Sequence, residues 1–420
     1  MNTKKLAASM IAVATIVTGC SPATASPSAT PSPTAFASIP AQPTPTPTPA
    51  PLTADSFNAS FSAMAALTPI ATAGSGVVDV ILPDVTTSPR YSAFDTPSLT
   101  HAFTAAGYAS SDFNLQNATG TTKTQVAIAQ ADIAAGAKVL VVDPIDAATG
   151  KKIQTLAQAA GIPVISYDRA ILQGVNTYFV GFNNEDIGKL IGQGFKDCVT
   201  SWAISSPKVF TLDGDNTDQV AVDLAKGYNS VVWGQQVAQV ASGTTNDAGM
   251  TLVGEQIVPG SVNATGGSIF ELWRSSHPEI NATIEPNDGL AGAVIATLKT
   301  AGIQPKKVPT VGQDASLAGL EFILQGYQCG SVYKPIYLEA QAAIALATYL
   351  RAGRVPPATL VNGATSDPSN ASITEPAVFV KPAWVTSATM ESTVVTDGAV
   401  KASDLCADVG ADICAAAGIK

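Results

Sequence analysis

Residues 138–169 read KVLVVDPIDAATGKKIQTLAQAAGIPVISYDR. Val139 to Val142 is a short run of branched apolar residues, Ile153, Leu156, Ala157 and Ala160 then recur at helical spacing, and Pro163 to Tyr167 is a second apolar run. Strand, helix and strand in succession predict parallel pairing with helices on both faces of the sheet. Upstream, a leading helix is expected from Phe57, Phe61 and Met64. After it come a strand over Val77 to Leu82, a helix through Leu99, Phe103 and Ala106, the segment Phe113-Asn114-Leu115, and a helix carrying Val126, Gln130 and Ile133. Downstream of Phe179-Val180-Gly181-Phe182 the pattern restarts: helix Ile187 to Cys198, strand Val209 to Leu212, helix Val220 to Trp233, and strands Leu252 to Val258 and Ala282 to Ile284. Helix Leu290 to Ala301, strand Val308 to Val311, helix Leu317 to Leu324 and strand Ser331 to Tyr333 follow. The fold class is α/β, two doubly wound parallel-sheet lobes in series. A helix, Leu338 to Leu350, and a strand, Ala377 to Val380, are left over; if they complete the first lobe, several chain crossings form the hinge. The lobes then comprise residues 76–181 with 336–381, and 182–335 with 382–420.

The 420 residues carry 22 basic and 32 acidic side chains, a net charge of −10. No basic run exceeds pairs such as Lys306-Lys307, so nothing is laid out to neutralise nucleic-acid phosphates. The two histidines, His101 and His277, are far apart and neither is near a cysteine, which argues against a metal centre of His and Cys and against a redox Cys-x-x-Cys site. No Gly-x-Ser-x-Gly elbow, Gly-x-Gly-x-x-Gly turn or phosphate-binding Gly-x-x-x-x-Gly-Lys-Ser/Thr loop occurs. Neither a nucleotide cofactor nor a serine nucleophile is indicated.

Lys4-Lys5 precede an apolar stretch from Leu6 to Val17 that ends in Val17-Thr18-Gly19-Cys20. These residues look like a lipoprotein lipobox over residues 1–20, which implies cleavage before Cys20 and diacylation of its thiol. The mature chain is then expected to be extracytoplasmic and anchored to a membrane by its acyl chains. Residues 21–54 contain no charge and are dominated by Pro, Thr, Ser and Ala, a composition of extended spacers or of glycosylated stalks. With Cys20 lipidated, Cys198, Cys329, Cys406 and Cys414 form an even set in an oxidising compartment. Of the three possible pairings, the short spacing of Cys406 and Cys414 favours a local loop, making Cys198 with Cys329 the second bridge.

Polar residues follow nearly every apolar strand: Asp84, Asp143, Asp168-Arg169, Asp213-Gly214-Asp215, Asn287-Asp288 and Gln313-Asp314. Each could cap the helix that follows it. As an ensemble they lie where open parallel sheets bind ligands. Carboxylates, amides and arginines together suit a neutral polyol, with Tyr91 as a platform for an apolar sugar face. Asp168 with Arg169 could also clamp an amino acid.

Val164-Ile165-Ser166-Tyr167-Asp168-Arg169, Phe182-Asn183-Asn184-Glu185, Asn287-Asp288, Gly312-Gln313-Asp314-Ala315 and Val332-Tyr333-Lys334-Pro335-Ile336 stand in one order along Val77 to Ala402. In order and spacing they resemble the D-xylose-binding proteins of ABC importers. The resemblance implies a type I periplasmic-binding-protein fold that clamps a sugar between its lobes, with no catalysis and no cofactor. It implies sugar contacts from Arg90, Asp168 and Arg169 in the first lobe and from Asn184, Asn287 and Asp314 in the second, with Lys334 at the crossing back. Gln219 stands where the family usually has Asn, and the family's stacking Trp aligns near Ser261. Without that ring, a pentose, a hexose or a larger sugar all stay open. The implied partner is an ABC permease and the implied state a monomer. A chemosensory receptor of the same fold, or a secreted hydrolase using two of the carboxylates, are the competing functions.

Overall fold

A computed structural model describes residues 52–83, 90–171, 177–367 and 370–420. Cys20 with its lipobox, most of the spacer, and Asp84 lie outside the described residues. In chain order the first elements are α1 (Thr68–Ala73), β1 (Val78–Leu82), α2 (Thr96–Ala105), β2 (Phe113–Asn117), α3 (Thr122–Ala135), β3 (Val139–Val142), α4 (Ala147–Ala159), β4 (Val164–Tyr167) and β5 (Thr177–Gly181). Then come α5 (Asn184–Ser201), β6 (Lys208–Asp213), α6 (Gln219–Val232), β7 (Thr251–Ile257), α7 (Asn263–Ser276), β8 (Ala282–Ile284), α8 (Asp288–Thr300), β9 (Gly312–Gln313), α9 (Leu317–Gln325) and β10 (Ser331–Tyr333). The chain closes with α10 (Ile336–Arg351), β11 (Gly363–Asp367), β12 (Asn370–Phe379), β13 (Ala383–Val385), α11 (Ala402–Val409) and α12 (Ala411–Ala416).

A seven-stranded sheet runs in the order β11-β12-β5-β4-β3-β1-β2. Its strands β1, β3 and β4 are buried at every position, as continuous branched runs covered by helices on both faces must be. Register follows the apolar runs, with Val78 opposite both Phe113 and Val139, and Leu140 opposite Val164. The helix and strand that the sequence leaves unplaced both return to this sheet. β12 pairs with β5 in parallel through Ala377 and Phe179, and Ile344 and Leu346 of α10 share a core with Val139, Val141 and Ile165.

The remaining described strands form two smaller sheets, β7-β6-β8 and β13-β10-β9. Here α5 and α6 cross at Gly188 and Gly227. A Cβ on Gly188 would overlap the Leu224 carbonyl, and one on Gly227 the Glu185 carbonyl, so only glycine lets the two backbones come so close. Cys198 bridges to Cys329 with Cα atoms 6.0 Å apart, and Cys406 bridges to Cys414 at 5.9 Å, both ordinary disulfide separations. The pairing expected from spacing is the one formed.

Three expectations need correction. The leading helix through Phe57, Phe61 and Met64 is broken, because Phe61 adopts left-handed backbone (φ 57°) between short turns; its three apolar residues are nonetheless buried. The strand expected at Val308 to Val311 is displaced to β9. The Pro309 carbonyl accepts from Thr283, but the Val311 N–H is taken by the Glu285 side chain at 3.2 Å, which interrupts the ladder. Helix α7 has no counterpart in the sequence reading. Its Gly266-Gly267 pair lowers helix propensity, yet Gly266 is where a Cβ would strike Leu290 of α8.

Candidate functional site

A cleft of about 800 Å³ opens where the carboxyl ends of the large sheet face those of β9 and β10. From the large sheet come Arg90, Tyr91 and Arg169; opposite them stand Asp314 and Lys334. Asp168 reaches the same cluster through Arg90, whose Nη1 donates to Asp168 Oδ1 at 2.7 Å.

Arg90 is the centre of the charge network. Its Nε donates to Asp95 Oδ2 at 3.0 Å and its Nη2 to Glu339 Oε2 at 2.7 Å. The Asp95 and Glu339 side chains are fully buried, and Tyr167 donates its hydroxyl to Asp95 at 2.6 Å. Burial pushes Asp95 and Glu339 above the ordinary carboxylate range, and the Arg90 charge opposes it. For Asp168 burial also pushes upward, but Arg90, Lys334 and Arg169 overcome it and hold its carboxyl below the usual range. Asp168 is therefore a charged acceptor at neutral pH.

Arg169 donates to the Tyr91 hydroxyl at 2.9 Å and to the Pro144 carbonyl at 3.1 Å, which fixes both side chains at the cleft wall. Beneath it, Asp143 is completely buried with Arg169 Nη1 at 3.6 Å, and burial raises its pKa well above the ordinary value. Across the cleft, Lys334 Nζ is 3.6 Å from Asp314 Oδ1, which also accepts from Gln313 at 3.0 Å. The loop that carries Asp314 is tied down by the buried Asp288, which accepts from the Ser316 N–H at 2.8 Å and the Ser331 hydroxyl at 2.7 Å. Burial lifts Asp288 to about 6.

Helix capping, the competing role for these polar residues, is filled by their neighbours. Asp146, not Asp143, caps α4 by accepting from Thr149, and Ser316, not Asp314, caps α9 by accepting from Gly319. Asp168 and Asp314 instead occupy left-handed backbone, with φ of 60° and 98°. Strain of that kind concentrates at ligand and active sites. Asn287 does cap α8, accepting from Leu290 at 2.9 Å. Asn184 and Gln219 begin α5 and α6, Gln219 donating to Asp223. None of these three lines the cleft. Asp213 is buried against Tyr228 of α6, and Asp215 accepts from Thr217 and from the Gly260 N–H; neither lines the cleft.

Sequence reasoning passes over Asp95 and Glu339. Glu339 has a signal: it is the lone charged residue in the run 336–350. Asp95 has none, because five-residue spacing to Arg90 is joined by a single π-turn over Tyr91–Asp95, a form that local pattern does not announce. Tyr337 and Asp397, which also line the cleft, are likewise missed. Among the described residues no cluster of His, Cys, Asp and Glu could hold a metal ion.

A family model described as a periplasmic binding protein domain matches residues 80–354, more than half of the chain. The chain belongs to this family. The D-xylose-binding periplasmic protein of Escherichia coli is 31% identical over 294 residues, covering 69% of this chain and 82% of that protein. The multiple sugar-binding periplasmic receptor ChvE of Rhizobium radiobacter is 25% identical, covering 80% and 94%. Among solved structures, a solute-binding protein of an ABC transporter from Clostridium phytofermentans, with bound β-D-glucose, superposes with a TM-score of 0.60 at 23% identity, covering 78% and 99%. The architecture is the type I periplasmic-binding-protein fold. The matched span takes in both faces of the cleft, from Arg90 to Lys334.

Proposed function

We propose that the protein is an extracytoplasmic receptor that captures a sugar in this cleft and passes it to an ABC importer. The observation that carries this reading is the placement of Asp168 and Asp314. Both follow strands in left-handed backbone, Asp314 leaves the α9 cap to Ser316, and each stands beside a cation, Arg90 or Lys334. Carboxylates and cations so paired accept from and donate to adjacent hydroxyls without needing a net ligand charge. Arg169 supplies donors and holds the buried Tyr91 in the cleft wall through its hydroxyl. The relatives named above, which carry sugar-binding names, support the class of ligand.

In this reading residues 76–181 with 336–381 form one lobe and residues 182–335 with 382–420 the other. Asn184, Gln219 and Asn287 stand outside the cleft now and would reach the sugar on hinge closure, the common motion of two-lobed binding proteins. Cys20 anchors the mature chain to the membrane, and residues 21–54 space it from the surface. Cys20→Ser is expected to move the protein from the membrane fraction to the soluble fraction; unchanged membrane association would rule the anchor out.

Asp314→Ala tests the site. Each charge-assisted hydrogen bond it removes contributes about 1.5–3 kcal/mol, and about 1.4 kcal/mol is a decade of affinity. Calorimetric titration is expected to show sugar binding weakened about 100-fold or more, with little change in melting temperature because Ser316 keeps the α9 cap. Full affinity combined with a lowered melting temperature would return Asp314 to a structural role.

A further inference from the structure

The cleft continues past the residues just described. About 800 Å³ is near the upper end of the roughly 300–1,000 Å³ that encloses drug-sized molecules, and a single pyranose is smaller than such molecules. The extra length has walls of its own. Ala59 and Phe61 enter from before the matched family span, and Asp397 and Ala399 from after it.

These walls are built rather than incidental. The segment bearing Phe61 is fastened to α10, where Gln341 donates to the Asn58 carbonyl at 2.9 Å. Phe61 stacks on His101 with centroids 4.1 Å apart and lies 6.4 Å from the Tyr337 ring. Tyr337 in turn donates its hydroxyl to Asp397 Oδ2 at 2.9 Å, and among the described residues Oδ1 accepts no hydrogen bond. An aromatic wall beside a carboxylate matches one sugar ring, apolar on its C–H face and rich in hydroxyls at its edge.

We propose that the cleft holds a disaccharide, one ring among Arg169, Asp314 and Lys334 and the second against Phe61, Tyr337 and Asp397. This rests on the sugar-receptor reading and names its ligand class. The second compartment also supplies an aromatic surface that the chain lacks near Ser261.

Titration calorimetry of the full chain with xylose, glucose and a panel of α- and β-linked xylose and glucose disaccharides tests it. At least one disaccharide is expected to bind 10-fold or more tightly than its monosaccharide. Asp397→Asn is expected to remove most of that gain. Ser98→Trp, which places an indole at a cleft-lining position three residues before His101, the ring on which Phe61 stacks, is expected to abolish it while the monosaccharide titration reports an intact fold. Monosaccharide binding with no disaccharide gaining over its own unit overturns this proposal and leaves the receptor reading standing. A gain that survives both substitutions overturns the placement of the second ring. Absence of binding by every sugar overturns the receptor reading itself, and this inference with it.

Discussion

Arg90→Met is expected to destabilise the protein by about 3–5 kcal/mol, the range for removing one partner from a buried ionic cluster. The guanidinium, 16% exposed, is the shared partner of Asp95, Asp168 and Glu339. Without it the Asp95 and Glu339 carboxyls, fully buried, must bind protons or remain uncompensated. Asp168 loses the charge that does most to hold it ionised, so sugar affinity is expected to fall together with stability. Arg90→Lys keeps the charge but not the fork that serves three carboxylates at once, and is expected to recover only part of both. The double variant Arg90→Met with Glu339→Leu separates the causes, since it removes the Glu339 part of the burial penalty, leaving that of Asp95, without restoring the site. Thermal melts and titrations of the three variants read this directly. An Arg90→Met protein as stable as the parent would show that the cluster is solvated in solution.

Glu285 governs the second large effect, a loss of stability as pH rises. Its carboxyl is completely buried, one oxygen accepting the Val311 N–H and the other without a hydrogen-bond partner among the described residues. Burial raises its pKa from 4.5 to about 8. Between those values the folded protein keeps a proton that the unfolded chain releases, so the native state binds more protons and stability falls with increasing pH. At about 1.4 kcal/mol per pH unit, the ceiling on this loss is about 5 kcal/mol by pH 8. Glu285→Gln can still accept from Val311 and carries no proton to lose. The variant is expected to match the parent near pH 4.5 and to exceed it by several kcal/mol near pH 8, flattening the profile of melting temperature against pH. Parallel profiles for the two proteins would place Glu285 in contact with water.

The site was legible in proportion to how local its logic is. Asp168 and Arg169 are expected from the sequence because they follow a run of apolar residues, and a residue after a parallel strand is near the ligand edge; Asp314 keeps that position although its strand is Gly312–Gln313 and not Val308 to Val311, and Lys334 enters only through the resemblance of the motif around it. Val139 to Val142 and Val164 to Tyr167 pair in parallel with Leu140 opposite Val164, both runs being buried at every position. The Cys406–Cys414 loop is equally local, and it left one pairing for Cys198 and Cys329.

Tertiary structure decided what depends on meetings between distant segments. Arg90 and Glu339 are separated by 249 positions, and nothing along the chain says that α10 returns beneath the first sheet to bring them within 2.7 Å. Phe61 belongs by spacing to a helix, but burial of its ring against His101 and Tyr337 outweighs the cost of left-handed backbone, which takes Phe61 to the cleft wall. The strand expected at Val308 to Val311 yields to a side chain, since Glu285 satisfies the Val311 N–H that a neighbouring strand would otherwise take. Sequence alone determined the strands β1, β3, β4 and β6 and the helices α4, α5, α6 and α8, because continuous branched runs and helical apolar spacing are short-range signals. Which polar residues share a cleft, and which merely cap a helix, was decided by packing, because a hydrogen-bond donor three residues away and a carboxylate two hundred residues away compete for the same side chain only once the chain has folded.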